Sequence, residues 1–64
     1  MLPYQQRVVE EKQELDKKID KLALFLKGEF SKFLPSEEQG RLQRQYHIMI
    51  EYSGVLAERI THFP

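Results

Sequence analysis

Apolar residues recur at Val8, Leu15, Ile19, Leu22 and Leu26, separated by one heptad and then by steps of four, three and four. This rhythm keeps them on one face of a helix. No glycine or proline falls between Tyr4 and Lys27, and Glu10, Glu11, Glu14, Leu15, Lys17, Lys18 and Lys21 all favour helix. Pro3 suits a helix start, where its missing N–H costs nothing. The spacing predicts a helix over 4–27, roughly 36 Å long at about 1.5 Å per residue. Acidic residues are expected in its first turns and lysines later, in keeping with the helix dipole. Glu14 and Lys18 are spaced to pair on its outer face.

Residues 28–36 form the connection. Gly28 is placed as the C′ residue, and Phe30, Phe33 and Leu34 are expected in a short helical turn that caps the end of the core. The alternative is a first helix running through Gly28 to Phe33, at a cost of about 1 kcal/mol for the glycine. Pro35 forces Leu34 to be extended. Ser36-Glu37-Glu38-Gln39 has the form of a capping box, with Ser36 as N-cap and Gln39 three residues on. A second helix follows over about 37–61. Leu42, Tyr46, Met49, Ser53, Leu56, Ile60 and Phe63 make its first stripe. Gly40 and Gly54 weaken it locally; Gly54 either permits a close approach or is merely tolerated. So short a connection makes the helices antiparallel neighbours.

The second helix carries a further stripe, Ile48, Tyr52 and Val55, displaced from the first by about 100° and widened by Ile50 and Ala57. One hairpin covers one stripe, and monomers avoid leaving such a patch in water. The expected architecture is therefore all-α: a single domain over 1–64, an antiparallel two-helix hairpin that assembles into an oligomeric helical bundle. Ile48, Met49, Tyr52, Val55 and Leu56 are the expected interface. A dimeric four-helix bundle is the simplest closed form, and larger rings obey the same rule. The apolar excess is expected on the second helix alone.

Composition narrows the function. Ten basic and ten acidic residues leave no net charge, which speaks against bulk nucleic acid as a partner but not against a small anion in a local basic pocket. There are no cysteines, so disulfides and thiolate metal sites are excluded; their lack fits a reducing cytoplasm. His47 and His62 do not have a local metal spacing, and no cofactor is expected. The longest apolar run, Leu22 to Leu26, is far too short for a membrane span. Met1 to Gln6 lacks the basic-then-apolar form of a signal peptide. A soluble cytoplasmic protein is expected.

Glu10, Glu11, Glu14, Asp16 and Asp20 are read as a solvated face, because no inward Glu-x-x-His pattern accompanies them. Ser31, Ser36 and Ser53 have no matching base, so no enzyme activity is expected. Two polar clusters suit binding. Tyr4-Gln5-Gln6-Arg7 offers a ring for stacking and a guanidinium for a phosphate, and lies near Glu58, Arg59 and His62 in a hairpin. Arg41, Arg44, Gln45 and His47 form the second, which two copies would concentrate across a symmetric interface. Tyr4, Gln6, Arg7, Arg41, Arg44, Gln45 and His47 are the candidate ligand-binding residues. A frayed helix start and solvated charges pairing with nearby acids are the alternative readings.

Tyr4-Gln5-Gln6-Arg7-Val8-Val9-Glu10-Glu11-Lys12, with Glu14-Leu15-Asp16 after it, resembles a family of short bacteriophage and prophage proteins. Tyr52-Ser53-Gly54-Val55-Leu56-Ala57-Glu58-Arg59-Ile60 is similar to the end of the same family. In size and helical-hairpin build the chain also resembles phage sponge proteins that sequester cyclic-nucleotide signals of bacterial immunity (the CBASS and Thoeris systems). No residue role is carried over from them. The resemblance implies an oligomer in the host-cell cytoplasm that binds a cyclic nucleotide or related anion between subunits. The alternative is a small helical interaction module that docks on a host or phage protein and inhibits it.

Overall fold

The computed structural model describes all 64 residues. Helix α1 (Pro3–Lys27) and helix α2 (Ser36–Thr61) pack antiparallel, joined through a 3₁₀ turn over Phe30–Phe33. The hairpin measures 47 × 15 × 13 Å. No helix is long and apolar enough to cross a membrane.

Pro3 opens α1 as its first helical residue. Gln5 folds back so that its Oε1 accepts the Leu2 N–H at 3.0 Å, satisfying a donor at the helix entrance. The first turn carries no acidic residue, and only Lys27 is basic in the last, so the expected charge bias is weaker than the whole helix suggested. Glu14 pairs with Lys17 at 3.4 Å, not with Lys18. Both partners are well exposed, and such pairs contribute little.

Gly28 ends α1 as expected, and the first helix does not continue to Phe33. Its backbone is extended, with φ −79° and ψ 165°, and not left-handed. The turn closes by another route: the Ser31 hydroxyl donates to the Gly28 carbonyl at 3.0 Å and lies 3.3 Å from that of Leu26, covering carbonyls that the helix end leaves open. The capping box does not form. Pro35, with φ −55° and ψ 148°, takes the N-cap position and no side chain caps the helix. Ser36 is thereby drawn into the first turn. Gln39 instead sends its Nε2 back to the Leu34 carbonyl at 2.7 Å and that of Lys32 at 3.3 Å, stitching α2 to the connection.

The two predicted stripes meet. Val8, Leu15 and Leu56 are buried, Leu56 completely, and Ile19, Met49, Ile60 and Phe63 pack around them. Only 6 of 64 residues are buried. This is a thin core for independent stability.

Two further expectations change, and one open alternative closes. Phe30 and Phe33 do not cap the core; they are 79% and 82% exposed. The three-residue period of the turn puts both on one side and turns Ser31 inward. The apolar excess is not confined to α2, because Leu24 and Phe25 are also exposed. Five consecutive apolar residues span more than one helical turn, so some of them must face out. Gly54 permits no close approach: a Cβ there would meet only open space, as at Gly40.

Candidate functional site

The polar groups at the middle of the seam are structural. Ser53 lies in α2's inner stripe and is buried. Its hydroxyl donates to Asp16 Oδ1 at 2.6 Å. Lys12 Nζ donates to Ser53 Oγ at 3.0 Å and to Asp16 Oδ2 at 2.8 Å. One serine in an apolar stripe is thus satisfied from the opposite helix, and its register against α1 is pinned. The hydrogen bonds from Lys12 and Ser53 hold the Asp16 carboxyl below its ordinary value of 3.8. The fold favours the charged form, so this contribution is complete above that value and is lost as pH falls through the lowered one. Thermal melts of wild type and Asp16→Asn across acidic pH should converge as pH drops. Curves that keep a constant separation would show that the charge on Asp16 adds nothing.

The candidate ligand residues fall at opposite ends of the hairpin. At the free end, Tyr4 packs edge-on against Phe63, with ring centroids 5.9 Å apart. Gln6 reaches Glu10 at 3.3 Å, and Arg7 is exposed. His62 places Nδ1 2.8 Å from the Glu58 carbonyl at the end of α2. Towards the connection, Arg41 Nε donates to Glu38 at 2.8 Å. Gln45 lies over Met49, its Nε2 3.9 Å from the sulfur. His47 sits edge-on to Tyr46, with centroids 5.8 Å apart. A single hairpin does not bring the two clusters together.

Of the expected interface residues, Leu56 and Met49 are engaged within the hairpin. Ile48, Tyr52 and Val55 remain outside, 43–56% exposed. At about 100° per residue, Arg41, Gln45 and Arg59 fall on the same outward line of α2 as these three. The line is an apolar centre with a guanidinium at each end.

One concavity was not singled out from the sequence. Two adjoining hollows of about 280 and 230 Å³ share Leu26 and Gln43 where α1, the connection and α2 converge. Lys32, Gln39 and Leu42 line the first; Lys27, Ala23 and Tyr46 line the second. Each is smaller than ordinary small-ligand sites. Lys27 and Tyr46 line one hollow only because the chain reverses, so no local motif marks them; folding the two stripes onto each other about residues 28–36 was the available signal. No three His, Asp or Glu side chains are grouped to hold a metal ion.

A family model described as Sequestin matches residues 2–62, nearly the whole chain. No curated protein and no solved structure matches it.

Proposed function

Since the chain belongs to the Sequestin family, whose name denotes sequestration, we propose that it binds and withholds a small anionic ligand and performs no reaction on it. The ligand class we favour is a cyclic-nucleotide signal of bacterial immunity, held between copies of a phage-encoded chain in the host cytoplasm. One observation carries this reading: the outward line of α2 carries Arg41, Gln45 and Arg59 at the two ends of an apolar centre, on a surface that the hairpin leaves open. Guanidinium groups take phosphate oxygens in a fork, and the exposed Tyr4 ring at the free end can stack on a base. The apolar centre of the line supplies the reason for copies to associate.

Calorimetry with a panel of cyclic di- and trinucleotides and ADP-ribose derivatives tests the reading; absence of heat with all of them at micromolar concentration overturns it. Replacing Arg41 and Arg59 together with alanine should preserve the helical dichroism signal. Binding should weaken roughly a hundredfold, taking about 1.5 kcal/mol for each charge-assisted contact. Loss of helicity in that variant would make the arginines structural.

A second reading is favoured by the exposed aromatics. Phe30 and Phe33 project from one side of the connection and resemble anchors for a protein groove. Together with the outer stripe of α2 they would serve an interaction module. Light scattering separates the two readings, because a stable monomer supports docking and a closed assembly supports sequestration.

A further inference from the structure

We propose that a second copy of this chain lies antiparallel along α2, and that the pairing creates an anion site by bringing its Arg59 to Arg41. The nature of the anion rests on the sequestration reading; the pairing does not.

The outward line Arg41, Gln45, Ile48, Tyr52, Val55, Arg59 advances in alternating steps of four and three. That is the period of a coiled-coil seam. α2 thus carries two seams about 100° apart. The inner one is filled by α1, and the outer one is open. The outer seam is nearly palindromic. An antiparallel copy sets Ile48 against Tyr52 of the partner subunit, Gln45 against the partner's Val55 and Arg41 against the partner's Arg59. The central layers are then apolar on both sides.

Charge selects this orientation. Arg44 and Glu58 both lie one position before a seam residue, so they flank the seam on the same side. Reversal brings Arg44 to within about 3 Å, along the axis, of the partner's Glu58. The twofold repeats the pair. A parallel copy places neither charge opposite the other. One contact opposes the pairing, since Glu51 meets the partner's Glu51 near the axis. The remaining like-charge contact, Arg41 beside the partner's Arg59, occurs at each end of the seam. Glu38 already holds the Arg41 Nε at 2.8 Å, which leaves the outer N–H groups of that guanidinium for another acceptor. Two facing guanidinium groups with the Gln45 amide beside them fit a phosphate or phosphodiester. The same reversal carries the partner's free end, with its own Tyr4 and Arg7, towards this connection end. The two candidate clusters that one hairpin keeps apart would then meet.

The lack of cysteine makes engineered thiols unambiguous. Gln45→Cys and Val55→Cys should each fail to form a disulfide alone, since identical positions lie about 15 Å apart along the axis in this register. Mixed, they should cross-link. Arg44→Glu should shift the assembly towards monomer by light scattering, and adding Glu58→Arg should restore it. Cross-linking of either variant alone, or failure of the charge swap to restore assembly, overturns the pairing. Inorganic pyrophosphate should raise the melting temperature of the wild type. Arg41→Ala or Arg59→Ala should abolish that rise without changing the assembled mass. A correct cross-link with no response to pyrophosphate overturns the anion site. A pyrophosphate response in a protein that gives no heat with cyclic nucleotides overturns only the ligand class proposed above.

Discussion

Leu56→Ala is expected to leave the protein largely unfolded under conditions where the wild type is folded. Leu56 is the one large side chain with no exposure at all, and it closes against Val8 and Leu15. Truncating a buried leucine costs about 2–5 kcal/mol. A small domain has roughly 5–15 kcal/mol in total, and one with so few buried residues belongs at or below the lower end. Urea denaturation followed by circular dichroism measures the loss. Leu24→Ala is the internal control: Leu24 is 70% exposed, and its truncation should change stability by no more than about 0.5 kcal/mol. Equal midpoints for the two variants would mean that the apolar seam between α1 and α2 is not what holds the hairpin together.

The second large effect is expected on assembly. Ile48 is 56% exposed in the hairpin, so Ile48→Asp adds a solvated charge there at little cost. At the centre of a seam between two copies the same carboxylate would be buried without a partner, which costs several kcal/mol. The assembly should fall to the 7.7 kDa chain in light scattering, with its helicity largely kept. Val55→Asp should do the same. Because the core of one hairpin is thin, the isolated monomer should also melt at lower temperature than the assembly. An unchanged assembly size would move the interface elsewhere, with Leu24, Phe25, Phe30 and Phe33 the next candidates because they are exposed apolar side chains near the connection.

Ile48 and Leu56 show why the fold was legible from the chain. They lie eight residues apart on one helix, yet one faces water and the other is sealed. The four-and-three spacing assigned Leu56 to the stripe that meets α1, although the expected oligomer interface had also claimed it. Burial within the hairpin resolves that conflict. The candidate site was less legible. Arg41, Arg44 and Gln45 were visible as a polar cluster, but Arg59 belongs to the same line by periodicity alone. The hollow between Lys27 and Tyr46 left no trace in either segment taken separately.

The sequence by itself determined where the two helices run, where the chain turns and which stripe of each helix faces inward. These follow from the 3.6-residue period, from Pro35 and from Gly28, all of which act over a few neighbouring residues. Tertiary structure decided what the chain reversal brings together. It gave Ser53 its partners in Lys12 and Asp16, and it left Phe30 and Phe33 in solvent. Gln39 was turned from a capping residue into a clasp on the connection. Each of these depends on distances between residues far apart in the chain, and such distances exist only once α1 and α2 have packed. Ile48, Tyr52 and Val55 belong to both accounts: periodicity placed them on one line, and packing left that line open.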